Sequence, residues 1–155
     1  MCIRDRLSTI IAGGSLTDSK GPGTTDSKVF AYVKSADEFE QMLTAAKTAG
    51  RPVMLDFYAD WCLDCKRMDR STFKDSTVVS RLNEEFVALK IDVTDPDDVF
   101  GRDSRKRVGV FGPPALVLFD GQGNHLKDLL TYGYLDANEL LLLLSKIPGV
   151  SQGTS

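Results

Sequence analysis

Val53-Met54-Leu55-Asp56-Phe57-Tyr58 runs directly into Ala59-Asp60-Trp61-Cys62-Leu63-Asp64-Cys65-Lys66, so a nearly continuous apolar stretch ends on a Cys-x-x-Cys pair. The stretch is bounded by Pro52 and Ala59-Asp60 and carries a single charge, the pattern of a strand covered on both faces. Residues 62–72 follow as a helix. A cysteine pair at such a junction has a physical purpose. The first thiol faces solvent near unpaired backbone N–H groups, and the second lies one turn behind it. One sulfur can attack a disulfide and the other can resolve the product. Cys62 is therefore the expected nucleophile and Cys65 the expected resolving thiol. Two other uses of the spacing stay open. A structural disulfide closing so short a loop constrains the unfolded chain little. Half of a metal site would need Cys2 or His125, both in peripheral segments. No metal is expected, and no cofactor beyond the redox-active Cys62/Cys65 pair.

Outward from this junction, strand and helix signals alternate. Val29 to Val33 is β-prone, and Ser35 with Glu38 three residues on forms a capping box. It opens a helix with Phe39, Met42, Leu43 and Ala46 on one face, stopped by Gly50 and Pro52. Asp75 or Ser76 caps a further helix carrying Val78, Val79, Leu82 and Phe86, before Val87 to Val93 returns as a strand. A short polar helix runs from beyond Asp95-Pro96 to about Arg107, and Gly109 turns the chain toward Pro113-Pro114. Ala115 to Phe119, Asp120-Gly121 and the β-prone Leu126 to Tyr132 read as a hairpin. Asp136 and Glu139 make a second capping box ahead of an apolar helix through Leu140 to Leu144. The expectation is an α/β sandwich, a central mixed β-sheet of about five strands flanked by about four helices in the order βαβαβαββα.

The whole chain has 155 residues, 42% hydrophobic and 26% charged, with 19 Lys plus Arg against 22 Asp plus Glu. That is one ordinary globular domain without a basic nucleic-acid footprint. Three cysteines and one histidine exclude a disulfide-stapled mini-protein or a zinc ribbon. No apolar run approaches the ~18 to 20 residues needed to span a bilayer, so no direct membrane insertion is expected. Residues 1–28 read as a flexible tail or linker, with four glycines and one large apolar residue between Gly13 and Lys28. The domain proper is expected over 29–148, with a loose tail over 149–155. The opening Met1-Cys2-Ile3-Arg4-Asp5-Arg6 resembles starts that recur in gene models assembled from environmental reads, so the true N-terminus is expected to be missing and Cys2 carries little weight.

Asp56 to Lys66 resembles the active-site segment of thioredoxin-fold proteins, and Gly109-Val110-Phe111-Gly112-Pro113-Pro114 resembles their cis-proline loop. A closer similarity, over about residues 30–147, is to the C-terminal thioredoxin-like domain of DsbD-type thiol:disulfide interchange proteins. It runs through Tyr58-Ala59-Asp60-Trp61-Cys62, Cys65-Lys66, Thr72-Phe73 and Phe119-Asp120-Gly121-Gln122-Gly123. The resemblance implies a thioredoxin fold and a periplasmic reductant, tethered to the inner membrane in its parent. It would take electrons from a membrane-embedded domain and hand them to the N-terminal domain of the same polypeptide, and thence to disulfide isomerases and cytochrome c maturation factors. On this reading the chain is a fragment. The alternatives are a free-standing thioredoxin-like reductase, a redox-silent module holding peptides or Cu(I), and an oxidant, which the Leu63-Asp64 dipeptide does not favour.

An ionised carboxylate in a buried strand is costly, so Asp56 needs an explanation; the resemblance implies that it assists proton transfer at Cys65. A strand-end Asp reaching solvent is the competing reading. Asp69, one turn after Cys65, stands where the family commonly has a glutamate, although an ordinary solvated carboxylate explains it equally well. Pro114 matches the cis-proline, which removes a backbone donor and lets the preceding residue pair with an incoming strand. Pro113 and Ala115 depart from the usual family residues. Trp61, Leu63, Asp64 and Pro113 are the candidate docking residues, and His125 is expected to be merely exposed. Carboxylates at 56, 60, 64 and 69 are expected to raise the thiol pKa against Lys66, Arg67 and Arg70, so that Asp64→Asn lowers the pKa of Cys62.

Overall fold

Pro52 and the turn before it release the chain from its first helix into an extended run that alternates Val53, Leu55 and Phe57 on one face with Met54, Asp56 and Tyr58 on the other. A computed structural model describes residues 29–150. The expected 1–28 linker, Cys2 and residues 151–155 lie outside the described residues. The elements are β1 (Ala31–Tyr32), α1 (Ala36–Thr48), β2 (Val53–Tyr58), α2 (Leu63–Arg70), α3 (Ser76–Glu85), β3 (Val87–Asp92), α4 (Val99–Val108), β4 (Ala115–Phe119), β5 (Thr131–Tyr132) and α5 (Ala137–Ser145). Short 3₁₀ turns occupy Thr72–Lys74 and Lys127–Leu129.

The sheet has five strands in the order β1-β3-β2-β4-β5. β1 and β2 both run parallel to β3, while β4 runs antiparallel to both β2 and β5. β2 is thus central, and Val53 to Phe57 are all buried. One face carries Leu55, Phe57, Leu89, Ile91 and Val117 against Phe39 and Ala46 of α1 and Val108 of α4. The other carries Met54, Ala88, Leu116 and Leu118 against Met68, Leu82, Leu140 and Leu144 of α2, α3 and α5. Burial of such side chains contributes about 1.5–3 kcal/mol each relative to exposure, so this double core holds the sheet.

Several sequence expectations are refined. There are five α-helices among the described residues against the expected four or so: the two helices read from the sequence between β2 and β3, separated at Ser71, count as one in the order βαβαβαββα. Ser35 caps α1 through the Glu38 N–H, but the Glu38 carboxylate accepts from Lys34 N (2.9 Å), one residue before the reciprocal position. The Asp136–Glu139 capping box is complete. The stretch Leu126 to Tyr132 is not one continuous strand. A single bridge pairs His125 with Phe119, the 3₁₀ turn intervenes, and only Thr131–Tyr132 pairs with Ala115 and Leu116. Val150 is buried in the second core, beyond the boundary expected at 148.

Gly121 brings the β4 turn against the end of α1. A Cβ added there would lie 2.7 Å from the Gly50 carbonyl oxygen, a backbone atom that cannot swing aside. Gly121→Ala is expected to destabilise the chain by about 1–3 kcal/mol, read as a lower denaturant midpoint; an unchanged midpoint would show that the two turns do not need this close approach.

Candidate functional site

The cysteine pair is built by the end of β2 and the start of α2. Tyr58 closes the strand, Ala59 to Trp61 cross the top of the sheet, and Cys62 is the N-cap of α2. The Cys62 N–H donates to Ala59 O (3.1 Å), and Cys62 Sγ accepts from Cys65 N (3.2 Å). The two cysteines form a disulfide with Cα atoms 5.3 Å apart, and both are buried, Cys62 included, contrary to the expectation that the first sulfur faces solvent. Their neighbours Trp61 and Leu63 are 62% and 77% exposed, so the disulfide lies in a rim of uncovered apolar surface.

Thr94, just beyond β3, holds the crossing segment. Its hydroxyl accepts from Asp60 N (2.9 Å), its carbonyl accepts from Trp61 Nε1 (3.1 Å), and its own N–H and hydroxyl donate to Asp92. Tyr58 Oη donates to Asp60 Oδ1 (2.7 Å), which keeps the Tyr58 pKa well above its ordinary value. Sequence reasoning missed Thr94; the weak signal was an Asp-x-Thr step at a strand end, where side chains cap a turn.

The second missed residue is Lys90. It sits between the fully buried Leu89 and Ile91, is itself buried, and stands directly across from Asp56 in the β2–β3 register. Its ammonium lies 3.4 Å from Asp56 Oδ2 and 2.7 Å from Asp69 Oδ1, with the rings of Phe30, Tyr58 and Phe73 at 4.5, 5.0 and 5.5 Å. A lysine in the middle of an otherwise apolar strand was the available signal. Burial pushes the Asp56 pKa up to about 7, with Lys90 restraining the rise and Asp69 adding to it. Burial alone would lower the Lys90 pKa, but Asp56 and Asp69 outweigh it and hold the ammonium above its ordinary value.

The structure alters the electrostatic expectation. The four carboxylates around the thiols are not a simple negative cluster. Asp56 and Asp69 share Lys90, Asp60 takes the Tyr58 hydroxyl, and Asp64 pairs with Arg67 at 3.1 Å on the surface. Asp64 and Arg67 are both largely exposed, so solvent screens their charges. Asp69 is no ordinary solvated carboxylate, being one side of a partly buried ion pair.

The Pro113–Pro114 peptide bond is cis. Ala115 pairs with both Phe57 and Tyr132, which sets Pro114 at the same end of the sheet as Tyr58 and the cysteines. His125 falls at the other end of β4. It is half-buried rather than exposed, with its ring 5.2 Å from Phe119 and its pKa lowered by burial and by Lys127. Among the described residues, no group of three or more His, Cys, Asp or Glu is placed to hold a metal ion, and no helix is long and apolar enough to cross a membrane.

Residues 39–148 match the family model described as a thioredoxin-like domain. The thiol:disulfide interchange protein DsbD of Ralstonia nicotianae is 41% identical over 141 residues, covering 91% of this chain and 22% of the relative. DsbD of Escherichia coli K12 is 41% identical over 110 residues, covering 70% of this chain and 18% of the relative. The chain therefore spans about a fifth of the length of these curated relatives. Among solved structures, the oxidised C-terminal domain of Neisseria meningitidis DsbD superposes with a TM-score of 0.63 at 30% identity, over 74% of this chain and 97% of that one. A thioredoxin from Thermus thermophilus shares the fold with a TM-score of 0.60 at 22% identity, over 76% of this chain and 86% of that one.

The Asp56 carboxyl is expected to titrate near pH 7. Its folded-state pKa lies above the unfolded value. Its contribution to stability is therefore fully present below about pH 4, falls as pH rises toward 7 and is level above. Carboxyl NMR should show that midpoint, and Lys90→Met should move it higher. A midpoint at the ordinary carboxylate value, or one unmoved in the variant, would remove Lys90 from the account.

Proposed function

The chain belongs to the thioredoxin-like domain family, and from that membership we propose that it is a thiol:disulfide reductant passing electrons through Cys62 and Cys65. The observation that carries the reading is a cysteine pair closed as a disulfide on a helix N-terminus, with Cys62 Sγ accepting the Cys65 N–H. In the reduced chain that N–H and the helix N-terminus favour the Cys62 thiolate. The thiolate attacks one sulfur of a partner disulfide and expels the other as a thiolate, which leaves a mixed disulfide. Cys65, losing its proton, then attacks the Cys62 sulfur and releases the partner's second thiol. Two electrons pass to the partner, the Cys62–Cys65 disulfide forms, and no further cofactor takes part.

Asp56 is assigned the proton of Cys65. A carboxyl with a pKa of about 7 can hold or accept a proton at neutral pH, which an ordinary aspartate does poorly. Asp69 acts through Lys90, which it anchors from α2. Pro113 and Pro114, with Trp61, Leu63 and Asp64, form the surface on which the partner settles.

We assign the chain to a periplasmic domain of a larger DsbD-like electron transporter, taking electrons from a membrane-embedded domain and delivering them to a periplasmic acceptor domain of the same polypeptide. The DsbD relatives of which it spans about a fifth, and the similarity to a DsbD C-terminal domain, support this.

The test is the equilibrium potential of the Cys62/Cys65 pair in a dithiol buffer. A value at or below about −230 mV is expected for a reductant, whereas one near about −120 mV would make the chain an oxidant. A pair that does not oxidise and reduce reversibly would favour a peptide- or Cu(I)-holding module. Cys65→Ala is expected to accumulate a mixed disulfide on Cys62, and Cys62→Ala to form none.

A further inference from the structure

We propose that Phe111 is the apolar grip by which this chain seats a disulfide-bearing polypeptide, and that Tyr132 and Arg105 are the positioning residues that hold it out; the proposal rests on the exchange reading above. Phe111 is 87% exposed, yet its backbone is fixed on both sides. Its N–H donates to Tyr132 Oη (3.1 Å), and its carbonyl accepts from Arg105 Nη1 (3.0 Å). The Tyr132 hydroxyl donates onward to Gly109 O (3.3 Å), and the two rings lie 6.3 Å apart at 23°. Gly109 ends α4 in the left-handed conformation at φ 75°, so the loop from there to the cis bond is short and tied from two elements.

An exposed phenylalanine on a tethered loop has paid its ordering entropy before any partner arrives, which is how a rigid aromatic anchor gains affinity. The partner is fixed by chemistry. Any disulfide attacked by the buried Cys62 must come to the end of the sheet where Tyr58, Pro114 and Tyr132 meet, carrying its polypeptide across the loop that presents Phe111. An incoming strand would normally exchange both backbone groups with the residue before the cis-proline. Here that residue is Pro113, which has no N–H to give. One hydrogen bond is absent from the docking edge, and an apolar contact two residues earlier supplies the hold instead. Trp61 and Leu63 extend the uncovered apolar surface beside the disulfide.

The test compares the full chain with Phe111→Ala, Tyr132→Phe and the double variant, using dithiothreitol as reductant with insulin and with hydroxyethyl disulfide as the disulfide substrates. Phe111→Ala is expected to raise the KM for insulin about tenfold, and Tyr132→Phe about threefold, with the effect in KM rather than kcat. In the double variant KM should match Phe111→Ala alone, because a hydroxyl that acts by placing Phe111 has nothing left to place. A KM for insulin within twofold of wild type in Phe111→Ala overturns the grip. Multiplying effects in the double variant overturn the role of Tyr132. A wild-type chain that reduces hydroxyethyl disulfide but not insulin also overturns the proposal while leaving exchange intact. Reduction of neither overturns the exchange reading itself.

Discussion

The carboxylate of Asp56 lies in the middle of a strand covered on both faces, where an unpaired charge costs several kcal/mol. Two responses are open to such a group, neutralisation and pairing, and the chain uses both. Lys90 faces it across the β2–β3 register, and the Asp56 pKa nevertheless rises to about 7 because burial outweighs that single cation. Lys90 in turn takes Asp69 from α2 at 2.7 Å. The helix that carries Cys62 and Cys65 is thereby tied to the sheet by an ion pair as well as by Met68.

Topology supplies the rest of the site. β2 and β3 run parallel, and β4 runs against β2, so the C-terminal ends of the first two meet the N-terminal end of the third. That edge gathers Tyr58 with the Cys62 loop, Asp92 with Thr94, and the Pro113–Pro114 bond. Three connections of different length are thereby made to converge. The hydrogen bonds from Asp60 and Trp61 to Thr94 lock the first two together, and Gly133 N donating to Pro114 O (3.1 Å) joins the third to β5.

Much of this was legible in the residues. The apolar run at 53–58 and the Cys-x-x-Cys after it located the central strand and the thiol helix, because burial on both faces and a helix N-terminus each impose a local pattern. Asp136 with Glu139 marked α5 for the same reason. What stayed hidden was non-local. Lys90 stands out as a charge in an apolar strand, but its partner is not evident until the register sets it opposite Asp56, and Asp69 looks solvated until the packing of α2 brings it to Lys90. The run from Leu126 to Tyr132 has strand propensity throughout, yet the chain there must turn through a 3₁₀ segment before Thr131 can reach Leu116. His125 reads as a loop residue, and only its bridge to Phe119 draws its ring inward.

Two parts of the site are built on opposite principles. Between β2, β3 and α2, the Asp56–Lys90–Asp69 group occupies space that apolar side chains could fill at no loss of stability and often at a gain. Stability is therefore a poor reason for its presence. A carboxyl balanced between ionised and neutral at about pH 7 is what the arrangement produces, and the role proposed for Asp56 at Cys65 makes use of that balance. At the surface, Trp61, Leu63 and Phe111 expose apolar surface that the core could have used. Exposed area of that kind lowers the free energy only when something covers it. A buried polar group with a carboxyl balanced near pH 7 and an uncovered apolar surface are both departures from the best-packed fold, and the exchange chemistry proposed for Cys62 and Cys65 gives each of them a use.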